Sequence, residues 1–119
     1  MHSGVKAQPL MVTSLPAILF QSNGGVHGVV RGSVIQLYCS VQSTTATFSW
    51  TKDGVPVVID VPHLRERTCN DSTTTTSVLT LDNFQSSDNG TYQCMAAESD
   101  GGNTGRGDSV TLIGEVYTL

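Results

Sequence analysis

The residues of this chain that could carry chemistry are few and widely spaced. His2, His27 and His63 are scattered, and none sits at ligand spacing with another histidine, cysteine or acid, so no metal site is expected. The three cysteines are Cys39, Cys69 and Cys94. There is no Gly-x-Ser-x-Gly nucleophile turn, and Gly101-Gly102 precedes a strand-like run rather than a helix start, so no phosphate loop is formed. The expectation is a chain without catalytic residues and without a cofactor. Its motifs are instead those of turns, sulfur bridges, sugar attachment and surface contact.

Length and charge narrow the class further. A chain of 119 residues is one domain by size, and an apolar share of 38% is enough for a modest core. The formal net charge is −4, with six lysines and arginines and no basic cluster, which argues against a nucleic-acid partner. No run of about 18 apolar residues exists to form a transmembrane helix. The apolar stretch Leu10 to Phe20 is too short, is interrupted by Pro16, and lacks the flanks of a signal peptide.

Alternation, not helical periodicity, runs through the chain. Residues 1–9 read as a flexible tail or cloning remnant, and 10–119 as a single domain. Leu10 to Phe20 reads as a kinked edge strand, Asn23-Gly24-Gly25 as a turn, and Val26 to Val30 as its continuation. Further strands are expected at 34–41, 46–52, 55–59 (weakened by Pro56), 65–69, 77–81, 91–97 and 109–116. Asp53-Gly54 is a strong hairpin signal, and Phe84 is expected to close a corner. Thr73 to Thr76 reads as β-branched strand or loop, with O-linked sugar as the other reading.

The most informative stretch is Asp88-Asn89-Gly90-Thr91-Tyr92-Gln93-Cys94: turn chemistry, then a strand on which Tyr92 and Cys94 share one face. Upstream, Ile35, Leu37 and Cys39 alternate on one face, and Phe48-Ser49-Trp50 holds the only tryptophan. Cys, then Trp, then Tyr-x-Cys in this order resembles the immunoglobulin superfamily, over about Gly32 to Leu112. The resemblance implies an all-β fold, an immunoglobulin-like Greek-key sandwich of two antiparallel sheets. Cys39 and Cys94 would form the inter-sheet disulfide, worth roughly 4 kcal/mol on the chain-entropy account. Trp50, Tyr92, Leu37, Leu79 and Leu81 would fill the core, with the Tyr92 hydroxyl tied back at a tyrosine corner. Arg65 or Arg67 would pair with Asp88. The Cys39 to Cys94 interval resembles the intermediate set, while Gly105-Arg106-Gly107-Asp108-Ser109 resembles the bulge and last strand of a variable domain.

A disulfide of this kind persists in oxidising surroundings, so the domain is expected outside the cell. With no leader or anchor in view, it is expected to be a piece of a longer membrane-anchored protein. The resemblance points to cell-adhesion molecules and receptor tyrosine kinase ectodomains, any kinase lying outside this chain. Cys69 is then the odd cysteine: a covalent homodimer, a partner in a missing domain and an inert thiol all remain open.

Three surface features could carry function. By alternation, Ser49, Thr51, Gln93, Met95, Ala97 and Thr111 share the outer face of the sheet holding Trp50 and Cys94, either as a contact surface for a protein partner (self, or another surface or matrix protein) or as a solvated sheet. The Gly-rich loop Glu98 to Thr104 lies beside it. Arg106-Gly107-Asp108 spells an integrin-binding tripeptide, whose Asp would offer a carboxylate to a metal ion in the receptor; against this, the flanking glycines read as a strand bulge that would remove it from a loop tip. Asn70-Asp71-Ser72 and Asn89-Gly90-Thr91 are sequons in turns, candidate N-glycosylation sites. A spacer domain without a partner of its own is the remaining reading.

Overall fold

The computed structural model describes residues 10–14, 18–22, 25–98, 104–107 and 109–115. Among the described residues the strands are β1 (Leu10–Ser14), β2 (Ile18–Ser22), β3 (Gly25–Val30), β4 (Ile35–Val41), β5 (Ala46–Lys52), β6 (Val55–Pro56), β7 (Leu64–Asn70), β8 (Thr75–Leu81), β9 (Gly90–Glu98), β10 (Thr104–Arg106) and β11 (Val110–Glu115). One sheet has the order β2-β1-β4-β8-β7; the other has β3-β11-β9-β5-β6, with β10 also paired to β9.

Alternation decides what lies between the sheets. On β4, Ile35, Leu37, Cys39 and Val41 are buried while Gln36, Tyr38 and Ser40 are only half-buried. Leu79 and Leu81 of the neighbouring β8 lie beside them on the same inner face, and Trp50 of β5 and Tyr92 and Cys94 of β9 close the core from the other sheet. Cys39 and Cys94 are bonded across the sandwich, their Cα atoms 6.5 Å apart. The Trp50 indole Nε1–H donates to Ser77 Oγ at 2.8 Å, so its one polar atom is satisfied inside the core.

The turns follow from their residues. Asp53 and Gly54, both at positive φ (53° and 80°), make the two-residue hairpin that joins β5 to β6. Asp71 Oδ1 accepts the backbone N–H groups of Thr73 and Thr74 at 2.9 and 2.8 Å. These bonds hold its carboxyl below the usual range and turn the chain from β7 into β8, which takes up Thr75 and Thr76.

At the lower corner, a short 3-10 turn, Ser86–Asp88, leads into β9. The Tyr92 hydroxyl donates to Asp88 O at 2.6 Å, and Gln85 N–H donates to Asp88 Oδ2 at 2.8 Å. Burial, aided by the Asp88 and Asp53 charges, pushes the Tyr92 hydroxyl far above the usual phenol range, so it remains a donor.

Several expectations need correction. Leu10 to Phe20 is not one kinked strand: β1 and β2 run antiparallel, with Ser14 opposite Ile18, and β1 continues onto β4. The physical cue was Pro16, which cannot donate to a ladder and splits a strand run; Pro16 itself, the tail 1–9, and Asn23-Gly24 lie outside the described residues. The strand expected at 55–59 shrinks to Val55–Pro56, because Pro56 has no N–H to extend the pairing. The last strand is described to Glu115, and Val116 lies outside the described residues. Neither Arg65 nor Arg67 pairs with Asp88. Arg65 reaches Asp82 at 3.3 Å, and Asp88 instead holds His63, whose Nε2 lies 2.9 Å from Oδ1. Leu64, facing Leu81 at the start of β7, turns Arg65 to the outer side of its sheet, where Asp82 and not Asp88 is in reach.

Two outcomes are expected. Tyr92→Phe should lower unfolding free energy by about 1–3 kcal/mol, because the buried Asp88 carbonyl loses its donor; urea melts check this. The hydrogen bond to Asp88 raises the His63 pKa above the ordinary imidazole value. The charged pair therefore stabilises the fold fully below about pH 6, where even an unfolded-chain histidine is protonated, and this contribution fades as pH rises through the folded-state pKa. His63→Ala should cost up to about 1 kcal/mol near pH 6 and less near pH 8, since the pair is partly exposed. A difference between the two melts that grows with pH would contradict the assignment.

Candidate functional site

The outer face of the β5-β9-β11 sheet is built by period-two alternation around the buried residues. With Trp50 opposite Cys94, and both buried, the neighbouring pairs point outward: Ser49 opposite Met95, Thr51 opposite Gln93, and Thr47 opposite Ala97. Thr111, between buried Val110 and Leu112, faces the same way, and its Oγ1 lies 2.8 Å from that of Thr91. The six residues singled out from the sequence thus lie on one face. Thr47 and Ser49 are exposed, whereas Thr51, Gln93, Met95, Ala97 and Thr111 are half-buried by their neighbours. A shallow depression of about 110 Å³ runs between Thr47, Ser49, Met95, Ala97 and Thr104. No residue of the central pairs is charged. The face continues onto Ile113 and, across the parallel β3 edge, Val26, which are 44% and 68% exposed. Sequence reading missed this extension, because nothing in Val26 to Val30 told which strand it would join.

Arg106 and Gly107 of the Arg106-Gly107-Asp108 tripeptide are held by the same ladder. Arg106 sits opposite Met95 on β10. Gly107 is buried; its N–H donates to Cys94 O at 3.1 Å, and its carbonyl accepts from Gln93 Nε2 at 2.9 Å. From the Arg106–Met95 pair to the Val110–Tyr92 pair, β9 advances three residues and the opposing chain four. This is a bulge with one extra residue, as the paired glycines imply. Arg106 and Gly107 are therefore ladder residues; Asp108 and residues 99–103 of the Gly-rich loop lie outside the described residues.

The remaining candidates lie away from this face. Asn70 ends β7, at the edge of the other sheet, is exposed, and donates its side-chain N–H to Thr44 O at 3.1 Å. Asn89 is exposed at the lower corner, where its Oδ1 accepts from Gly114 N–H at 2.7 Å. Cys69 is a free, exposed thiol on β7. Among the described residues there is no cluster of histidine, cysteine or acid able to hold a metal ion, and no helix long and apolar enough to cross a membrane.

Comparison with known proteins agrees with this geometry. The family model for the immunoglobulin domain matches residues 16–97. The chain belongs to the immunoglobulin superfamily. As an immunoglobulin domain it is 44% identical over 62 residues to the Drosophila melanogaster protein amalgam, an alignment covering 51% of this chain and 19% of amalgam, so the chain spans about a fifth of that relative. Among solved structures it is similar to the complex of Dpr2 Ig1-Ig2 with DIP-Theta Ig1-Ig3 (TM-score 0.65, 19% identity, 91% of this chain and 33% of the other). It is also similar to the BTLA ectodomain (TM-score 0.63, 22% identity, 87% and 98%) and to Dscam1 Ig7 (TM-score 0.58, 17% identity, 91% and 100%). At these identities the structures share the fold with this chain. The immunoglobulin fold is typical of non-catalytic recognition modules.

Proposed function

We propose that this immunoglobulin domain is an extracellular recognition module of a membrane-anchored adhesion or signalling receptor, binding a protein partner through the outer face of β5, β9 and β11. One observation carries the reading: the central pairs of that face, Thr47–Ala97, Ser49–Met95 and Thr51–Gln93, are uncharged and surround a single methionine, bordered on β10 by exposed Arg106 opposite Met95, on a chain whose net charge is −4. Depletion of charge at the centre is what distinguishes a contact patch from ordinary surface, and methionine adapts to an opposing shape. The Asn70 and Asn89 sequons lie off this strip, so N-glycans there would leave it bare. The similar Dpr2 and DIP-Theta domains are in complex with each other, which supports a protein partner for this domain too. Whether the partner is a second copy or another protein, the same face serves. An integrin role draws no support from the ladder that holds Arg106 and Gly107.

Cells displaying the domain should cluster with one another, or with cells bearing the partner. Met95→Arg and Ser49→Arg, each burying a charge at the centre of the contact, should weaken clustering about thirtyfold or more. Clustering unchanged in both variants would place the contact elsewhere. No clustering by the unaltered domain would leave it a spacer. A dimer that vanishes only with reductant would assign self-association to Cys69 instead.

A further inference from the structure

The open flank of the sandwich, between β6 and β7, holds a second candidate site that does not rest on the outer-face reading. Both strands are sheet edges. β6 is two residues long and pairs only with Thr51 and Lys52. Past the bond from Val57 N–H to Trp50 O, no strand among the described residues continues along Ala46 to Ser49 on that side. Across the gap, Glu66 stands opposite buried Leu79 and Thr68 opposite buried Ser77, so both point into the sandwich.

The Glu66 carboxylate accepts hydroxyl hydrogen bonds from Ser77, at 2.5 Å, and from Thr68, both on Oε2. Ser77 Oγ in turn accepts the Trp50 indole N–H. A cleft of about 230 Å³ opens at this carboxylate, walled by Phe48, Trp50, Pro56, Val57 and Ile59. That is smaller than the pockets that enclose drug-sized ligands, and of the scale of one long side chain. On and beside its lip, Ile59 and Val58 are 47% and 80% exposed. Neither ion pair among the described residues includes Glu66; Arg65, on the adjacent position, is turned outward to Asp82.

An inward charge on an edge strand discourages unwanted strand pairing. That role needs neither apolar walls nor a hydrogen-bond chain to the core tryptophan. We propose that the cleft receives a cationic side chain, arginine or lysine, from a partner protein: the methylene stem lies along Val57 and Ile59 and the charged head meets Glu66. Charge complementarity with an unpaired carboxylate argues for the cation, and the apolar walls for its stem.

The chain has one tryptophan, so its indole N–H gives a single resolved reporter joined through Ser77 to Glu66. The test titrates the ¹⁵N-labelled domain with N-acetyl-arginine amide, and separately with the neutral, near-isosteric N-acetyl-citrulline amide. The indole signal should shift saturably with the arginine probe at a millimolar Kd, and not with citrulline. Glu66→Gln, which keeps an acceptor for both hydroxyls, should weaken the response at least tenfold while the spectrum stays dispersed. Ile59→Lys, at an exposed position, should do the same by placing a cation in the cleft from within. An indole signal unmoved at tens of millimolar probe, an equal response to citrulline, or an undiminished response in both variants would overturn the proposal and leave Glu66 as an edge guard.

Discussion

The Cys39–Cys94 bridge, with Trp50 packed beside it, is the constraint on which the rest of this domain depends. The two cysteines lie 55 residues apart in sequence and join the middle strand of one sheet to the middle strand of the other. The bond fixes the spacing between sheets at the point where Leu37, Leu79, Tyr92 and Leu112 meet. Trp50, opposite Cys94, fills the space alongside and hands its one polar hydrogen to Ser77 of the facing sheet. Because the pair Trp50–Cys94 is held inward, every second residue on β5 and β9 is held outward. The proposed recognition face is thus set by the same constraint that sets the core, through nothing more than the two-residue period of a strand.

What the sequence made legible, and what it did not, divides by distance along the chain. β5 lies at Ala46–Lys52, as alternation around Trp50 predicts, and Asp53-Gly54 turns as a two-residue hairpin because both residues tolerate positive φ. The face containing Ser49, Met95 and Thr111 could be read for the same reason: direction on a strand is local information. Partner choice at the lower corner is not local. Asp88 takes His63 rather than an arginine because the chain between β6 and β7 brings His63 back beside it, a path that no pattern in residues 57–63 specifies. The antiparallel β1–β2 pairing was hidden for a related reason: a proline tells where a strand stops, not where the chain goes next. Glu66 could have been found, since its alternation with Leu64 and Thr68 opposite Leu81 and Ser77 puts a carboxylate on the inward side; the polarity of the segment hid the pattern.

The candidate functional parts of the surface sort onto separate regions. One sheet carries an outer strip whose central pairs are uncharged, with Arg106 beside it and Gly107 bonded to Cys94 of β9. The other sheet carries Cys69, Asn70 and the charged residues of β7. Between them, on the side where β6 stops short, the sandwich is open enough to present a carboxylate from inside. On the proposed reading, the Asn70 sequon and the charges of β7 lie on one side of the sandwich and the contact strip on the other.

The most direct measurement is site-specific photo-crosslinking on cells that display the domain within its full ectodomain. A photoreactive residue replaces Ser49 on the outer face of β5 in one variant and Arg67 on the outer face of β7 in another. The account predicts covalent adducts to a protein on the opposing cell from position 49 and none from position 67. Adducts from position 67 with none from 49 would contradict it.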